Sequence, residues 1–364
     1  MIATKISINE AGQRFDKYLK KLLKGAPDSF IYKMLRKKNI VLNGKKADGR
    51  EKLCLDDEVK FFLADETFQK FCGTDMSDTA EITPYEQAYQ KLKYLNVVYE
   101  DDQILVVDKP AGILSQKAKP EEISVNEWLI GYLLATHRIT PASLATFKPS
   151  ICNRLDRNTS GMVACGKTLA GSQYLSRVIK DKSLEKYYYC LISGELVLDE
   201  RVTGYLCKDP VLNKVMIYPQ ETDVPKSLKQ DAACIDTAFH TVRTAHNITL
   251  LEVQLFTGKT HQIRAHLASL GHPIIGDAKY GNAKINQFYA KKGVHAQLLH
   301  AHKLVFPASF TPNDAQLFIQ TSGRVLECPP PTLFEKLLNG EELEKNDGYM
   351  ELEGTSRFSL RRYD

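Results

Sequence analysis

The sequence lacks the features that mark secreted, membrane-spanning and zinc-binding proteins. Its eight cysteines are scattered over 364 residues without a C-x-x-C pair, which argues against a disulfide framework and a zinc ribbon. No stretch approaches the roughly 18 apolar residues of a membrane span. The first residues, Met1 to Ile6, lack the apolar core of a signal peptide. We therefore expect a folded cytoplasmic protein with reduced thiols and no membrane partner.

Positive charge is concentrated at one end of the chain. Residues 1–65 contain 15 Lys and Arg against 9 Asp and Glu, whereas the remaining 299 residues contain 34 against 35. This distribution favours a partner with a phosphate backbone, although a solvated charged surface is the alternative. The length predicts a catalytic domain with an appended smaller one.

The basic N-terminal region has the pattern of a small helical module with short strands. Residues 12–23 predict an amphipathic helix because their apolar residues recur at helical spacing. A second helix is predicted from a cap at Asp28 or Ser29 to about Lys38. Strands are predicted over residues 40–42 and 58–63, the first closed by an Asn43-Gly44 turn.

This module resembles the RNA-binding domain shared by a small-subunit ribosomal protein and several RNA-modifying enzymes. The similar residues are Gly12-Gln13-Arg14-Phe15-Asp16-Lys17-Tyr18-Leu19 and Val41-Leu42-Asn43-Gly44-Lys45. The resemblance implies RNA contact by the basic face of the second helix and the following hairpin. The residues predicted to bind RNA are Arg14, Lys17, Lys33, Arg36, Lys37, Lys45 and Lys46.

The remaining chain divides into three further segments. Residues 66–92 are polar and include Gly73 and Pro84, which is typical of a linker. From residue 93 strands and helices alternate, beginning with a hairpin over 97–107, and we place the catalytic domain at 93–338. Residues 339–364 form a charged tail with little apolar periodicity, which we expect to be loosely ordered. The N-terminal module is assigned to residues 1–65.

Asp156 is the first candidate catalytic residue. It lies between Arg154 and Arg157 in a polar loop, directly before an apolar strand at 162–165. Flanking arginines favour the ionised carboxylate that a nucleophile or base requires. The alternative is an ordinary surface loop with an Arg–Asp ion pair.

The same region matches a phosphate-loop pattern. Residues 161–168 read G-x-x-x-x-G-K-T, but a phosphate loop needs a strand before its first glycine and a loop between the glycines. Here the strand stands between the glycines, so nucleotide hydrolysis is the weaker hypothesis.

Two downstream segments complete the candidate site. Residues 185–192 predict a strand in which Tyr188 points opposite to Tyr187 and Tyr189, either as core packing or to stack on a base. Residues 260–271 predict a helix capped by Thr260 and stopped by Gly271, in which Arg264 would suit a partner carboxylate. The spacing of the histidines does not favour a metal site, and we expect none.

Four blocks in this order resemble the pseudouridine synthases that modify large-subunit ribosomal RNA. They are Asp108-Lys109-Pro110-Ala111-Gly112, Arg154-Leu155-Asp156 with Thr159-Ser160-Gly161, Lys186-Tyr187-Tyr188, and Thr257-Gly258-Lys259-Thr260-His261-Gln262-Ile263-Arg264; family-like runs at 271–274, 276–277 and 280–281 follow. The resemblance covers about residues 93–335. It implies an α+β fold with a mixed, largely antiparallel sheet, and isomerisation of uridine without a cofactor.

The resemblance also implies roles for individual residues. Asp156 would be the essential carboxylate, Tyr188 would stack on the target base, and Arg264 would form a salt bridge with Asp156. Arg154 would help to extrude the uridine. The further residues expected to bind substrate are Thr159, Lys259, His261 and Gln262.

The sequence departs from the family pattern in three places: at Asn153, at Lys259, and at the pair Ser115-Gln116. Because they leave the three catalytic candidates unchanged, they bear on the substrate position more than on activity. We expect a monomeric enzyme acting on ribosomal RNA. Transfer RNA as substrate, a phosphate-loop nucleotidase and a non-catalytic RNA-binding protein are the alternatives.

Overall fold

The structure is a computed structural model that describes residues 1–72, 79–209, 214–308 and 317–341. Within these ranges the chain falls into two units. Unit 1 comprises Met1–Arg157, Gly161–Glu185 and Lys303–Cys328; unit 2 comprises Asn158–Ser160, Lys186–His302 and the described residues from Pro329 onward. Both contain helices and antiparallel strand pairs, which confirms the predicted α+β class.

Unit 1 begins with a module that has its own apolar core. Its elements are β1 (Ile2–Lys5), α1 (Phe15–Leu22), α2 (Asp28–Arg36), β2 (Ile40–Leu42), β3 (Lys45–Lys46) and β4 (Glu58–Phe61). The strands form an antiparallel sheet in the order β1-β4-β2-β3. Phe15 and Leu19 of α1 and Ile31 and Leu35 of α2 are buried in the core, so each helix has an apolar face, as was predicted for α1.

The details of α2 differ from the prediction. Its N-cap is Pro27, which makes no side-chain capping bond, so a cap at Asp28 or Ser29 is wrong. Asp28 instead stands in the first turn and forms an ion pair with Lys20 of α1. The helix ends at Arg36 because Lys38 adopts a left-handed φ of 59°, which closes the last turn.

The segment predicted as a linker contains two helices, α3 (Asp65–Cys72) and α4 (Thr79–Lys91). Phe68 and Phe71 of α3 pack against the core of the N-terminal module. Helix α4 passes so close to Gly131 that a Cβ there would lie 2.1 Å from the carbonyl oxygen of Tyr85. Packing therefore overrides the polar composition and Pro84, while the separation of two domains by residues 66–92 stays a prediction.

The rest of unit 1 surrounds a second apolar core. Its elements are β5 (Asn96–Glu100), β6 (Ile104–Lys109), α5 (Val125–Ala135), β7 (Ser150–Ile151), β8 (Ser160–Gly166), α6 (Leu169–Lys180) and β15 (Val325–Glu327). Strands β8, β6 and β5 are neighbours in that order, and β7 pairs with the end of β8. The predicted 97–107 hairpin and 162–165 strand are thus confirmed.

Unit 2 is built on antiparallel strands in the order β11-β10-β12-β13-β9. Its elements are β9 (Glu185–Ser193), β10 (Asp199–Asp209), β11 (Lys214–Tyr218), β12 (Ala233–Ala245), β13 (Ile248–Leu255), α7 (Gln262–Ser269), α8 (Ala283–Ala290), β14 (Leu299–Val305) and α9 (Thr332–Asn339). Strand β14 leads the chain back into unit 1, where its end pairs with β15.

The charged tail lies outside the described residues from 342 onward, and Asn339 ends α9. No helix within the described ranges has both the length and the apolar character needed to cross a membrane.

Candidate active site

Asp156 lies in the loop between β7 and β8 and is partly exposed. The preceding residue, Leu155, is held by the buried hydroxyl of Ser115. Its N–H donates to Ser115 Oγ at 3.0 Å, and Ser115 Oγ donates to the Leu155 carbonyl at 2.8 Å. One hydroxyl therefore satisfies both backbone groups of the residue before the carboxylate and restrains the loop on that side.

The residue after Asp156 is held by the 108–112 block. Lys109 Nζ donates to the carbonyls of Pro110 and Ile113, both at 2.9 Å, and to the carbonyl of Arg157 at 3.0 Å. The Gly112 N–H also donates to the Arg157 carbonyl at 2.9 Å. Gly112 has a φ of 92°, which glycine adopts without strain. This block thus forms a cradle for the loop.

Lys109 is fully buried, and its surroundings act on its charge in opposite directions. Burial lowers the pKa of Lys109 and the negative charges of Asp156 and Asp108 oppose this effect, so that the pKa lies at about 7. Three carbonyl acceptors match the three N–H donors of an ammonium group, while a neutral amine offers two. The hydrogen bonds therefore favour the charged lysine, and its charge is felt at Asp156.

We expect Lys109→Met to remove a pH dependence of stability. With a pKa lowered from 10.5 to about 7, Lys109 keeps its proton less well in the folded chain than in the unfolded chain. This group therefore makes folding progressively more favourable as pH rises from about 7 to about 10.5. Urea unfolding at several pH values measures the free-energy difference between wild type and variant.

As pH rises from about 7 to about 10.5, the free energy of unfolding of the wild type should increase relative to that of Lys109→Met. Lys167→Met is the matched control, since Lys167 is also buried but pairs with Glu100. A difference that stays constant with pH for Lys109→Met would contradict the assignment.

The two arginines that flank Asp156 in the sequence both reach the surface, and one of them pairs with a carboxylate other than Asp156. The Arg157 guanidinium pairs with Glu122 Oε1 at 2.9 Å and is about half exposed, so it is engaged by another carboxylate. Arg154 is exposed. Its predicted role in extruding the uridine stays a prediction, as does the influence of the two arginines on Asp156.

The segment that follows Asp156 is fastened inside unit 2. Gln297 Nε2 donates to Thr159 Oγ1 at 3.2 Å, and His300 Nδ1 and Ser160 Oγ share a hydrogen bond of 2.9 Å. All four side chains are buried. Thr159, predicted to bind substrate, therefore has a structural partner, and its contact with substrate stays a prediction.

Tyr188 lies on β9 with the alternation that the sequence predicted. It is buried, whereas Tyr187 and Tyr189 on the other face are partly exposed. Tyr189 stacks on His302 with ring centroids 3.6 Å apart, which explains one of the three tyrosines as packing. Stacking of Tyr188 on a base remains a prediction.

Arg264 has the partner carboxylate that its position called for, and that partner is Asp277. The guanidinium donates from Nε to Asp277 Oδ2 at 2.7 Å and from Nη2 to Oδ1 at 2.9 Å, and both residues are buried. Burial alone raises the pKa of Asp277, but the hydrogen bond and charge of Arg264 and the N–H groups of Tyr280 and Lys279 outweigh it and lower the pKa. The salt bridge between Arg264 and Asp156 stays a prediction.

The start of α7 corrects the predicted cap. The N-cap is His261, with a left-handed φ of 56°, and not Thr260. Gln262 instead closes the turn that precedes the helix, because its Oε1 accepts from the Lys259 N–H and from Thr257 Oγ1, both at 3.0 Å. The other helix end follows the prediction, since Gly271 has a φ of 86° directly after α7.

Three residues near this turn were predicted to bind substrate. The Gln262 amide is buried, and its Nε2 donates to Thr237 Oγ1 at 3.0 Å. His261 Nδ1 shares a 3.0 Å hydrogen bond with the Tyr280 hydroxyl, and Lys259 is exposed. The exposed Lys259 and the partly exposed His261 have surface available to a ligand. For all three, RNA contact stays a prediction.

The residues predicted to bind RNA in the N-terminal module are all exposed. Lys33, Arg36 and Lys37 share one face at the end of α2, and Lys45 and Lys46 form β3 of the hairpin. The hairpin turn has positive φ at Asn43 and Gly44, as predicted. Lys17 lies on α1, and Arg14, directly before α1, pairs with Asp16 at 2.8 Å.

The phosphate-loop hypothesis fails on the structure of residues 161–168. The stretch between the two glycines is the buried strand β8, so its backbone N–H groups do not surround a ligand. Lys167 is buried and pairs with Glu100, and Thr168 caps α6 by accepting from the Gly171 N–H. Within the described part of the chain, no group of three or more His, Cys, Asp or Glu is arranged to hold a metal ion.

Several residues that hold the Asp156 loop or pair with Arg264 were not assigned a role from the sequence. Lys109, Ser115 and Asp277 were noticed as parts of motifs or as departures from them, and Gln297 and His300 carry the segment after Asp156. A charged residue at the end of an apolar strand, as at Lys109, is the one signal that could have indicated a buried structural role.

Comparison with known proteins identifies the kind of chain to which this sequence is similar. The family model described as RNA pseudouridylate synthase matches residues 103–269, which include Asp156, Tyr188 and Arg264. Ribosomal large subunit pseudouridine synthase C of Vibrio vulnificus is 30% identical over 319 residues, covering 85% of this chain and 92% of that protein. The enzyme of the same name from Rickettsia bellii is 31% identical over 307 residues, covering 83% and 94%.

A solved structure extends the similarity to the fold. Human RNA Pseudouridylate Synthase Domain Containing 4 superposes with a TM-score of 0.54 at 18% sequence identity. The match covers 71% of this chain and 97% of that one. At this identity the superposition supports the fold, and the relatives above supply the family.

Proposed function

The chain belongs to the RNA pseudouridine synthase family, a family of isomerases, and we propose that it converts specific uridines of large-subunit ribosomal RNA to pseudouridine. The observation that carries the proposal is the Asp156 loop, whose backbone is held by Ser115 before the carboxylate and by Lys109 and Gly112 after it. A carboxylate on a restrained loop is suited to act at one fixed point of a bound nucleotide. The choice of ribosomal RNA rests on the names of the relatives.

The reaction requires a carboxylate and a pocket rather than an added reagent. The bond between uracil N1 and ribose C1′ breaks, the base turns, and C5 bonds to C1′. The C5 hydrogen leaves to solvent and N1 takes up a proton, so that atoms and charge balance. Asp156 acts on the base or the sugar as a nucleophile, or takes a sugar proton as a base.

Tyr188 and Arg264 complete the proposed catalytic set. Tyr188 stacks on the uracil that has been flipped out of the RNA, and Arg264 holds the carboxylate of Asp156 by a salt bridge. Flipping costs a few kcal/mol, which contacts with phosphates must offset. The exposed lysines and arginine of α2 and the β2–β3 hairpin provide such contacts, together with Lys259 and His261 near α7. We further propose that the enzyme works as a monomer in the cytoplasm.

Release of tritium tests the substrate. Purified protein is incubated separately with large-subunit ribosomal RNA and with bulk transfer RNA, both labelled with tritium at uracil C5. We expect release from the ribosomal RNA, and primer-extension stops after carbodiimide treatment would then locate the modified uridine. Release from transfer RNA alone would overturn the substrate, and release from neither would overturn the isomerase activity.

A further inference from the structure

Helix α8 in unit 2 presents a stripe of cationic and aromatic side chains to solvent. Lys284, Phe288 and Lys291 follow the helical spacing i, i+4, i+7 and are all exposed, with 55% of Phe288 accessible. Lys292 lies over the Phe288 ring at 4.9 Å from its centroid. One cation therefore lies against the aromatic ring, and two further exposed lysines lie along the same stripe.

The chain segment that contains this stripe has basic residues and no acidic ones. Residues 278–313 contain five lysines and three histidines and neither Asp nor Glu. The net charge of residues 66–364 is nevertheless close to zero, because acidic residues elsewhere in that range balance these lysines. A phosphate backbone approaching α8 would therefore meet attraction without a competing carboxylate from the same segment.

The stripe stands on a helix that is fixed to the Arg264–Asp277 pair. Asn286 Nδ2 donates to the Asp277 carbonyl at 2.8 Å, and Asn286 Oδ1 accepts from the Gly276 N–H at 2.9 Å. Asn282 caps the helix by accepting from two backbone N–H groups, and Tyr289 is buried on its inner face. The exposed side chains are thus held on the segment that carries the partner of Arg264.

We propose that this surface, consisting of Lys284, Phe288, Lys291 and Lys292, is a second RNA-docking site, separate from the basic face of α2. The lysines contact phosphates, and an unpaired base stacks on Phe288. Phe288 is the single exposed large apolar residue of α8, and a protein partner usually requires a wider apolar patch. The inference rests on the proposed function in that RNA is the substrate.

The experiment compares two variants with the same change in charge. Lys284→Gln/Lys291→Gln removes two charges from the stripe, and Lys226→Gln/Lys229→Gln removes two exposed charges elsewhere in unit 2. Binding to a labelled large-subunit ribosomal RNA fragment is measured over a series of salt concentrations. We expect the stripe variant to bind about tenfold more weakly at low salt, with a salt slope smaller by about two, and the control to match the wild type.

Phe288→Ala separates stacking from charge. We expect it to weaken binding by about tenfold while leaving the salt slope unchanged, because it removes a stacking surface and no charge. In tritium release both the Phe288→Ala and the double-lysine variant should raise KM and leave kcat unchanged. All these side chains are exposed, so thermal unfolding should stay close to that of the wild type.

The outcomes distinguish this inference from the proposed function. If the wild type releases no tritium from either RNA, the proposed function fails, and the salt-dependent binding still tests the stripe. If the stripe variant binds as the wild type does, or loses no more affinity than the control variant, RNA docking on α8 is overturned. Unchanged binding by Phe288→Ala would overturn the stacking contact.

Discussion

Replacement of Asp156 by Asn is expected to abolish tritium release while leaving the fold intact. Asn has nearly the same shape, but a neutral amide acts neither as a base nor as a nucleophile, so we expect a loss of at least about 10³-fold. The backbone of Leu155 and of Arg157 is held by Ser115 and by Lys109, and the substitution leaves these hydrogen bonds in place. The variant should therefore still bind RNA.

The control for Asp156→Asn is Glu122→Gln. Glu122 is a neighbouring carboxylate that pairs with the exposed Arg157, and such exposed pairs contribute little to stability. We expect its tritium release to remain within a few-fold of wild type. Equal release by wild type and Asp156→Asn would reject the catalytic assignment and favour the non-catalytic RNA-binding hypothesis.

The largest loss of stability is expected at Asp277. Its carboxylate is fully buried, accepts two hydrogen bonds from Arg264 and also accepts from the backbone N–H groups of Lys279 and Tyr280. Asp277→Asn removes the negative charge from this buried, doubly hydrogen-bonded pair, and breaking such a pair typically costs about 3–5 kcal/mol. Urea unfolding at neutral pH measures the change in the free energy of unfolding.

Asp236→Asn provides a matched comparison because Asp236 forms a two-point pair with Arg201 at an exposed site. Solvent screens that pair, so we expect a loss below about 1 kcal/mol. Similar losses in the two variants would contradict the structural role of the buried pair.

The stabilisation that Asp277 provides depends on pH. The pKa of Asp277 is lowered in the folded protein, so its contribution to the free energy of unfolding is fully present above the unfolded value near 3.8. This contribution is lost as pH falls through the lower folded pKa.

Patterns of neighbouring residues predicted local structure well. The Asn43-Gly44 turn, the alternation around Tyr188 and the stop at Gly271 were all confirmed, because each depends on residues next to one another in the chain. The predicted cap at Thr260 was wrong, because Gln262 closes the turn before α7 with its own side chain. Residues 66–92 contain two helices that gain stability from packing against α5 and the N-terminal core, which local composition does not indicate.

Long-range partners could be anticipated in kind but not in identity. Arg264 near an apolar helix stripe called for a carboxylate, yet Asp277 stands 13 residues away beyond the end of the helix. The cradle at Lys109 joins residues 48 apart, and the bonds to Thr159 and Ser160 join residues about 140 apart. No periodicity links such positions, because their distance is decided by the path of the chain.

By itself the sequence determined the α+β class, the family and the candidate carboxylate, since these depend on residue types, local spacing and the order of the blocks. The tertiary structure decided what holds Asp156 and Arg264, and it placed Lys284, Phe288 and Lys291 together on one exposed face. The physical reason is that burial, hydrogen-bond partners and local charge arise only when distant parts of the chain meet.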